Sequence, residues 1–274
     1  MKRILTALGV AALFVAFAAS ARADDKLGIV LMHGKMGAPM GQSGLAKGKP
    51  SIGARLIADL KGAGYLVAAP EMCWSRRRNF DKPYPDCLAE LDGVIADLKA
   101  HGATRIVVSG LSLGGNAAIA YGATHAGLLG VIAYGPADDP GKKAARPEIA
   151  AAIRKAERLA FESKGDVPTT FDDVNTGPQG TFDTTLHITP NIYLSFYGPK
   201  SLAHIPATTA KLKAPLLWIA GNSDPTQRGG QAYAFGNAPS NPMNRYIVVS
   251  ATHLQTPDAG RAATLAWLAD LVKP

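Results

Sequence analysis

Gly110-Leu111-Ser112-Leu113-Gly114-Gly115 stands directly behind the strand-like run Arg105-Ile106-Val107-Val108-Ser109 and ahead of a helical segment ending near His125. The spacing is G-x-S-x-G in a strand-turn-helix context, which is where the pattern acquires meaning. A serine at so sharp a turn is held in a strained backbone conformation, and flanking glycines leave room for the chain to double back. Its hydroxyl then projects above a sheet. The N–H that follows lies at a helix start, where negative charge is favoured. By itself the pattern is weak, and its weight comes from what stands downstream.

A serine hydroxyl is a poor nucleophile until a base removes its proton, and the base needs a partner that fixes its tautomer. Two residues occupy suitable places. Asp224 lies in Gly221-Asn222-Ser223-Asp224-Pro225, just beyond the apolar run 216–220. His253 lies in Ser250-Ala251-Thr252-His253, just beyond the run 246–249. Each emerges past a strand's C-terminal end, the edge at which parallel sheets bind ligands. Order and placement together predict a triad of Ser112, Asp224 and His253. An oxyanion would need N–H donors. Leu113 is expected to supply one, and Lys35 the other, from the loop His33-Gly34-Lys35-Met36-Gly37, with Met36 behind it. The remaining histidines read differently: His101 and His125 as helix ends, His187 and His204 as parts of an insert.

Outward from this nucleus, short apolar runs alternate with segments of helical period. That is the signature of a mostly parallel central sheet of about six strands with helices on both faces. Strands are expected at 27–32, 65–69, 105–109, 131–134, 216–220 and 246–249. Helices are expected from about Ser51, through Leu88, Leu91, Ile95 and Leu98, after Ser112, and over 257–272. Residues 137 to about 212 break the rhythm. They predict an alanine-rich helix over 147–164, a polar stretch without periodicity over 165–185, and a short helix near 190–197. So long an excursion between two strands reads as an inserted cap.

Lys2 and Arg3 precede an apolar run, and Ala21-Arg22-Ala23 forms an A-x-A end. That layout is a secretory signal peptide over 1–23, with cleavage expected after Ala23. Read instead as a membrane anchor, the run is short for a bilayer. The mature chain, 24–274, would be one α/β domain, periplasmic or secreted, with no stable membrane insertion. Removing Lys2, Arg3 and Arg22 takes 29 Lys+Arg to 26 against 21 acids, a mature charge of +5. The basic residues are scattered and no nucleic-acid motif accompanies them, so no nucleic-acid partner is expected. Export gives Cys73 and Cys87 a meaning, since an even count in an oxidising compartment favours a disulfide over two separate thiols. Gly48-Lys49 lacks the earlier glycine and following Ser/Thr of a phosphate loop, Ser43 and Pro50 standing there instead. No metal-ligand spacing and no dinucleotide fingerprint is present, so neither cofactor nor metal is expected.

The chain resembles the α/β-hydrolases over nearly all of its mature length. His33-Gly34 is similar to that family's oxyanion loop, 110–114 to its nucleophile elbow, and Asp224 and His253 to its remaining triad positions. The family's cap enters after the strand that here ends near Tyr134. One departure is a missing pair of N-terminal strands, which points to a shortened sheet. The resemblance implies a serine hydrolase, and the reading favoured here is a carboxylesterase acting on small or medium acyl esters. Peptidase, lipase and thioesterase chemistry on the same triad are alternatives, as is a member that binds a ligand without catalysis. Arg76, Arg77 and Arg78, fixed by the cystine, would in one hypothesis favour acidic substrates. The other reading is three solvated arginines on a surface loop.

Overall fold

Six apolar runs pair as parallel strands, in the order β2-β1-β3-β4-β7-β8. They belong to a computed structural model that describes residues 26–42, 51–177 and 180–273. Residues 1–23, expected to be a signal peptide, and the Gly48-Lys49 pair lie outside the described residues. The strands are β1 (Lys26–Met32), β2 (Leu66–Ala68), β3 (Ala103–Leu111), β4 (Gly130–Tyr134), β7 (Leu216–Gly221) and β8 (Arg245–Val249). Central β3 is covered on both faces, which is why its sequence is a continuous apolar run rather than an alternating one. On one face Val30, Ile106 and Val108 pack against α2 (Tyr84–Ala100) and α3 (Leu113–Thr124). On the other, Leu31, Val107 and Ile219 meet α1 (Ala54–Gly62) and α9 (Arg261–Leu271). The strand order reverses at β1, so the loops after β1 and β3 flank the crevice where open parallel sheets bind ligands.

Between β4 and β7 lies the insert: α4 (Pro140–Ala144), α5 (Pro147–Phe161), β5 (Thr169–Gly177), β6 (Gly180–Ile188), α6 (Pro190–Tyr197) and α7 (Ile205–Thr209). Here the structure corrects the sequence reading. The polar stretch expected over 165–185 to lack regular structure is for the most part an antiparallel hairpin, with Phe171 opposite Leu186 and Asp173 opposite Thr184. Threonine-rich segments suit a pleated, half-covered surface. Their alternation is hidden because the inward position between Phe171 and the sheet edge carries a buried aspartate, Asp173, 2% exposed. The closing helix is also divided, into α8 (Thr256–Ala259) and α9, at Gly260.

Cys73 and Cys87 form a disulfide with their Cα atoms 5.7 Å apart, both fully buried. The bond ties the loop after β2 to the first turn of α2. Among the described residues, no helix is long and apolar enough to cross a membrane, and no cluster of metal-capable side chains occurs. The bridge closes a loop of about 15 residues, worth on the order of 3 kcal/mol in the chain-entropy model. A Cys73→Ala/Cys87→Ala protein should therefore lose about that much unfolding free energy in urea titration.

Candidate active site

Ser112 joins β3 to α3 at φ 58°, ψ −120°, a conformation that costs a non-glycine residue strain. The turn is so tight that a side-chain carbon at Gly110 would fall 2.4 Å from the carbonyl carbon of Gly114. A side chain at Gly114 would collide with the carbonyl oxygens of Met32 and His33, at 2.6 and 2.7 Å. The two glycines thus let three backbone segments converge under one serine. As first residue of α3, Leu113 has no intrahelical acceptor for its N–H.

Asp224 and His253 follow β7 and β8, and their side chains meet: His253 Nδ1 lies 2.6 Å from Asp224 Oδ2. Both are buried, at 4% and 1% exposed. The other carboxylate oxygen accepts from the Thr226 N–H at 2.9 Å and the Thr226 hydroxyl at 2.8 Å. Gln227 continues the chain. Its Nε2 donates to the Thr226 hydroxyl and to Pro136 O, and its Oε1 accepts the Trp218 indole N–H. Gly135 brings this pair to the serine. The residue before it, Tyr134, accepts the Ser112 N–H through its carbonyl, and Ala137 N–H donates back to Ser112 O. A side-chain carbon on Gly135 would sit 2.7 Å from Asp224 Oδ2 and 3.4 Å from His253 Nδ1. His253 Nε2 is buried with no hydrogen-bond partner, so the bond from the Ser112 hydroxyl is not made in this structure. Serine–histidine bonds are often long in unliganded sites and tighten on substrate binding.

The loop after β1 runs beside the elbow: a side-chain carbon on Gly34 would lie 3.1 Å from Ser112 Cβ. His33 Nε2 accepts the Met72 N–H at 3.0 Å, so its proton sits on Nδ1 and is donated to Gly34 O at 2.7 Å. Burial pushes the His33 ring below its ordinary pKa, against the opposing pull of that bond and of Glu71. The Trp74 indole donates to His33 O, and Trp74 O accepts from Met36 N–H at 2.9 Å. Gly37 N–H is bonded to Gly34 O. With Met36 and Gly37 engaged, Lys35 is the loop's candidate oxyanion donor.

The Lys35 side chain has a second role that its sequence position does not reveal. Its ammonium reaches Asp173 Oδ2 at 2.8 Å and Asp138 Oδ1 at 2.9 Å, and also contacts the carbonyl of Val174. Lys143 binds the same two carboxylates, over the Tyr197 ring. Burial alone would push Asp138 up, but Lys35 and Lys143 outweigh it and hold the carboxyl well below the usual range. Burial likewise pushes Lys35 down, and Asp138 and Asp173 reverse this, raising it above an ordinary lysine. Lys143 goes the other way, lowered by burial and by Lys35 beside it. The cluster joins the β1 loop to the cap hairpin.

Two of the three residues in the arginine run are engaged by acidic side chains. Arg77 is bonded to Glu71, and Arg78 to Asp81 and Glu90. Their acidic partners offset the charge that the hypothesis of an acid-binding arginine loop gave these two. Thr226, Gly135 and the Asp138–Asp173 pair were missed. Only the strand-end context of Tyr134-Gly135-Pro136 hinted at any of them.

The sequence profile of the alpha/beta hydrolase family matches residues 10–265. Among solved structures, the chain is similar to one from the study of LipS and LipT, two metagenome-derived lipolytic enzymes. The TM-score is 0.61 at 16% identity, over 90% of this chain and 95% of that one. It is similar also to a monoacylglycerol lipase of Paleococcus ferrophilus, with TM-score 0.60 at 18% identity over 89% and 94%. Est1E from Butyrivibrio proteoclasticus gives 0.55 at 13%, over 91% of both chains. Identities this low show a shared fold. No curated protein matches the sequence.

Two outcomes follow from the geometry. Gly135→Ala should displace the Asp224 carboxylate and lower kcat about 100-fold in hydrolase assays, as misplacements of about 1 Å do. Asp138→Asn leaves buried lysines under-compensated and should cost about 3–5 kcal/mol at neutral pH. Because the folded Asp138 carboxyl titrates below the unfolded value of about 3.9, its contribution is full above that pH and fades as pH falls below it. Denaturant titrations between about pH 4 and pH 2 should therefore show a shallower fall for Asp138→Asn than for wild type.

Proposed function

Since the chain belongs to the α/β-hydrolase family, we propose that it is an exported serine carboxylesterase that cleaves small or medium acyl esters through an acyl-enzyme. The observation that carries this reading is the 2.6 Å Asp224–His253 contact, set beside a serine in the left-handed elbow conformation. In the proposed reaction the Ser112 hydroxyl attacks the ester carbonyl carbon while its proton passes to His253 Nε2. Asp224 keeps the proton on Nδ1 and stabilises the imidazolium as it forms. The N–H groups of Leu113 and Lys35 receive the developing oxyanion. Collapse expels the alcohol, which takes the proton from His253. Water, deprotonated by the same ring, then releases the acid and restores Ser112.

Ester substrates are supported by the lipolytic enzyme and lipase among the similar structures. A role in binding alone would not require the fixed histidine tautomer or the strained serine. The export signal over 1–23 belongs to the same proposal, and the buried Cys73–Cys87 bond suits an oxidising compartment. Ser112→Ala should lower p-nitrophenyl ester turnover by about 10³-fold or more and abolish fluorophosphonate labelling, with an unchanged far-UV spectrum. Turnover at the wild-type rate would remove Ser112 from the mechanism.

A further inference from the structure

A cavity of about 300 Å³ lies beside the triad, between the segment after β4, the start of α4, the cap hairpin and the turn after Asp224. Two of its wall residues touch the site directly. Thr226 bonds the Asp224 carboxylate, and Ala137 donates its N–H to Ser112 O.

Most charge on the wall is already balanced. Asp138 and Lys143 belong to the buried cluster, and Arg146 pairs with Glu148 and Asp183. The oxygens of Asp139 accept the backbone N–H groups of Lys142 and Ile205. Lys142 and Arg228 remain. The Lys142 ammonium sits 3.2 Å from the centroid of the Tyr233 ring and 3.4 Å from Thr226 O. Neither it nor the exposed Arg228 makes an ion pair with a carboxylate among the described residues. The cavity wall thus carries Arg228, which has no ion pair with a carboxylate among the described residues, and Lys142, which feels Asp139 and Asp224 only at a distance and makes no direct ion pair with either.

We infer that this cavity receives a carboxylate carried by the substrate, so that the enzyme prefers esters bearing one free acid group. The inference rests on the esterase reading above. Guanidinium and carboxylate match in planar, two-pronged geometry, and an ammonium can close on the same group as a point charge. Arg77 and Arg78 are already paired with Glu71 and Glu90, whereas Lys142 and Arg228 line the cavity next to Thr226 and Ala137, which touch the triad.

Matched ester pairs test it. One pair is 4-acetoxybenzoate with its methyl ester, placing the acid on the leaving group. The other is mono-4-nitrophenyl adipate with 4-nitrophenyl hexanoate, placing it on the acyl chain. At low salt one acid ester should show the higher kcat/KM, and the advantage should shrink as salt screens the exposed cations. A Lys142→Met/Arg228→Ala protein should lose at least about fivefold in the acid-to-neutral kcat/KM ratio, in keeping with charge-assisted contacts that are partly exposed. A ratio unchanged for both pairs overturns the proposal. Binding is read separately in a Ser112→Ala background by calorimetry with monoethyl adipate. Affinity lost in the triple variant supports the cavity even where wild-type turnover is absent and the esterase reading fails. Affinity that survives in the triple variant overturns it.

Discussion

The site depends on how closely bare backbone can approach bare backbone at the C-terminal edge of the sheet. Gly110 and Gly114 touch each other and the end of β1, and Gly135 touches the carboxylate and ring that follow β7 and β8. A single methyl group at any of these places would push apart elements that the reaction needs within about 3 Å. Steric exclusion therefore sets the geometry, and hydrogen bonds then select among the few arrangements left. The Asp224 carboxylate shows the second step. It accepts three donors, from Thr226 twice and from His253, so its charge is held in one orientation.

A different force joins the sheet to its insert. Lys35, Lys143, Asp138 and Asp173 form two cations and two anions with almost no water contact. Replacing such a set with apolar residues of equal volume is often neutral or stabilising, so its presence is weak grounds for a stability role. What the set does supply is register. It requires the hairpin to place the Asp173 carboxylate, with the neighbouring Val174 carbonyl, against the β1 loop, and it fails if any one partner is displaced. β5 also passes beside the turn that carries His253.

Much of this was legible in the amino-acid order, for physical reasons that also explain what was not. Buried parallel strands must be apolar on both faces, so β1, β3, β4 and β7 announce themselves as unbroken runs. The elbow is legible because only glycine tolerates the contacts at 110 and 114. Asp224 and His253 are legible because each follows a strand closely. The hairpin was hidden because its inward position holds Asp173, whose partners lie 138 and 30 residues away in the chain. Nothing local distinguishes a buried, paired aspartate from a solvated one. The same limit applied to Lys35, chosen for its N–H while its ammonium went unread, and to Arg77 and Arg78, whose acidic partners neutralise them.

The β1 loop is held from two independent directions, and this bears on how the proposed oxyanion donors could work. From below, Met72 and Trp74 grip His33 and Met36 through three hydrogen bonds, and the cystine at Cys73, between them, anchors that grip to α2. From above, the Lys35 ammonium is fastened to the cap hairpin. Donors that stabilise a transient negative charge are effective to the extent that they need not reorganise when it appears. A loop clamped at its residues 33 and 36 by one body and at residue 35 by another has little freedom to reorganise. Its backbone N–H at position 35 is aimed by contacts made on both sides of it, one covalently braced and the other electrostatic. Cap and catalytic loop are for that reason one mechanical unit: a cap displaced from the sheet would have to break the Lys35 contacts, and with them loosen the donor itself.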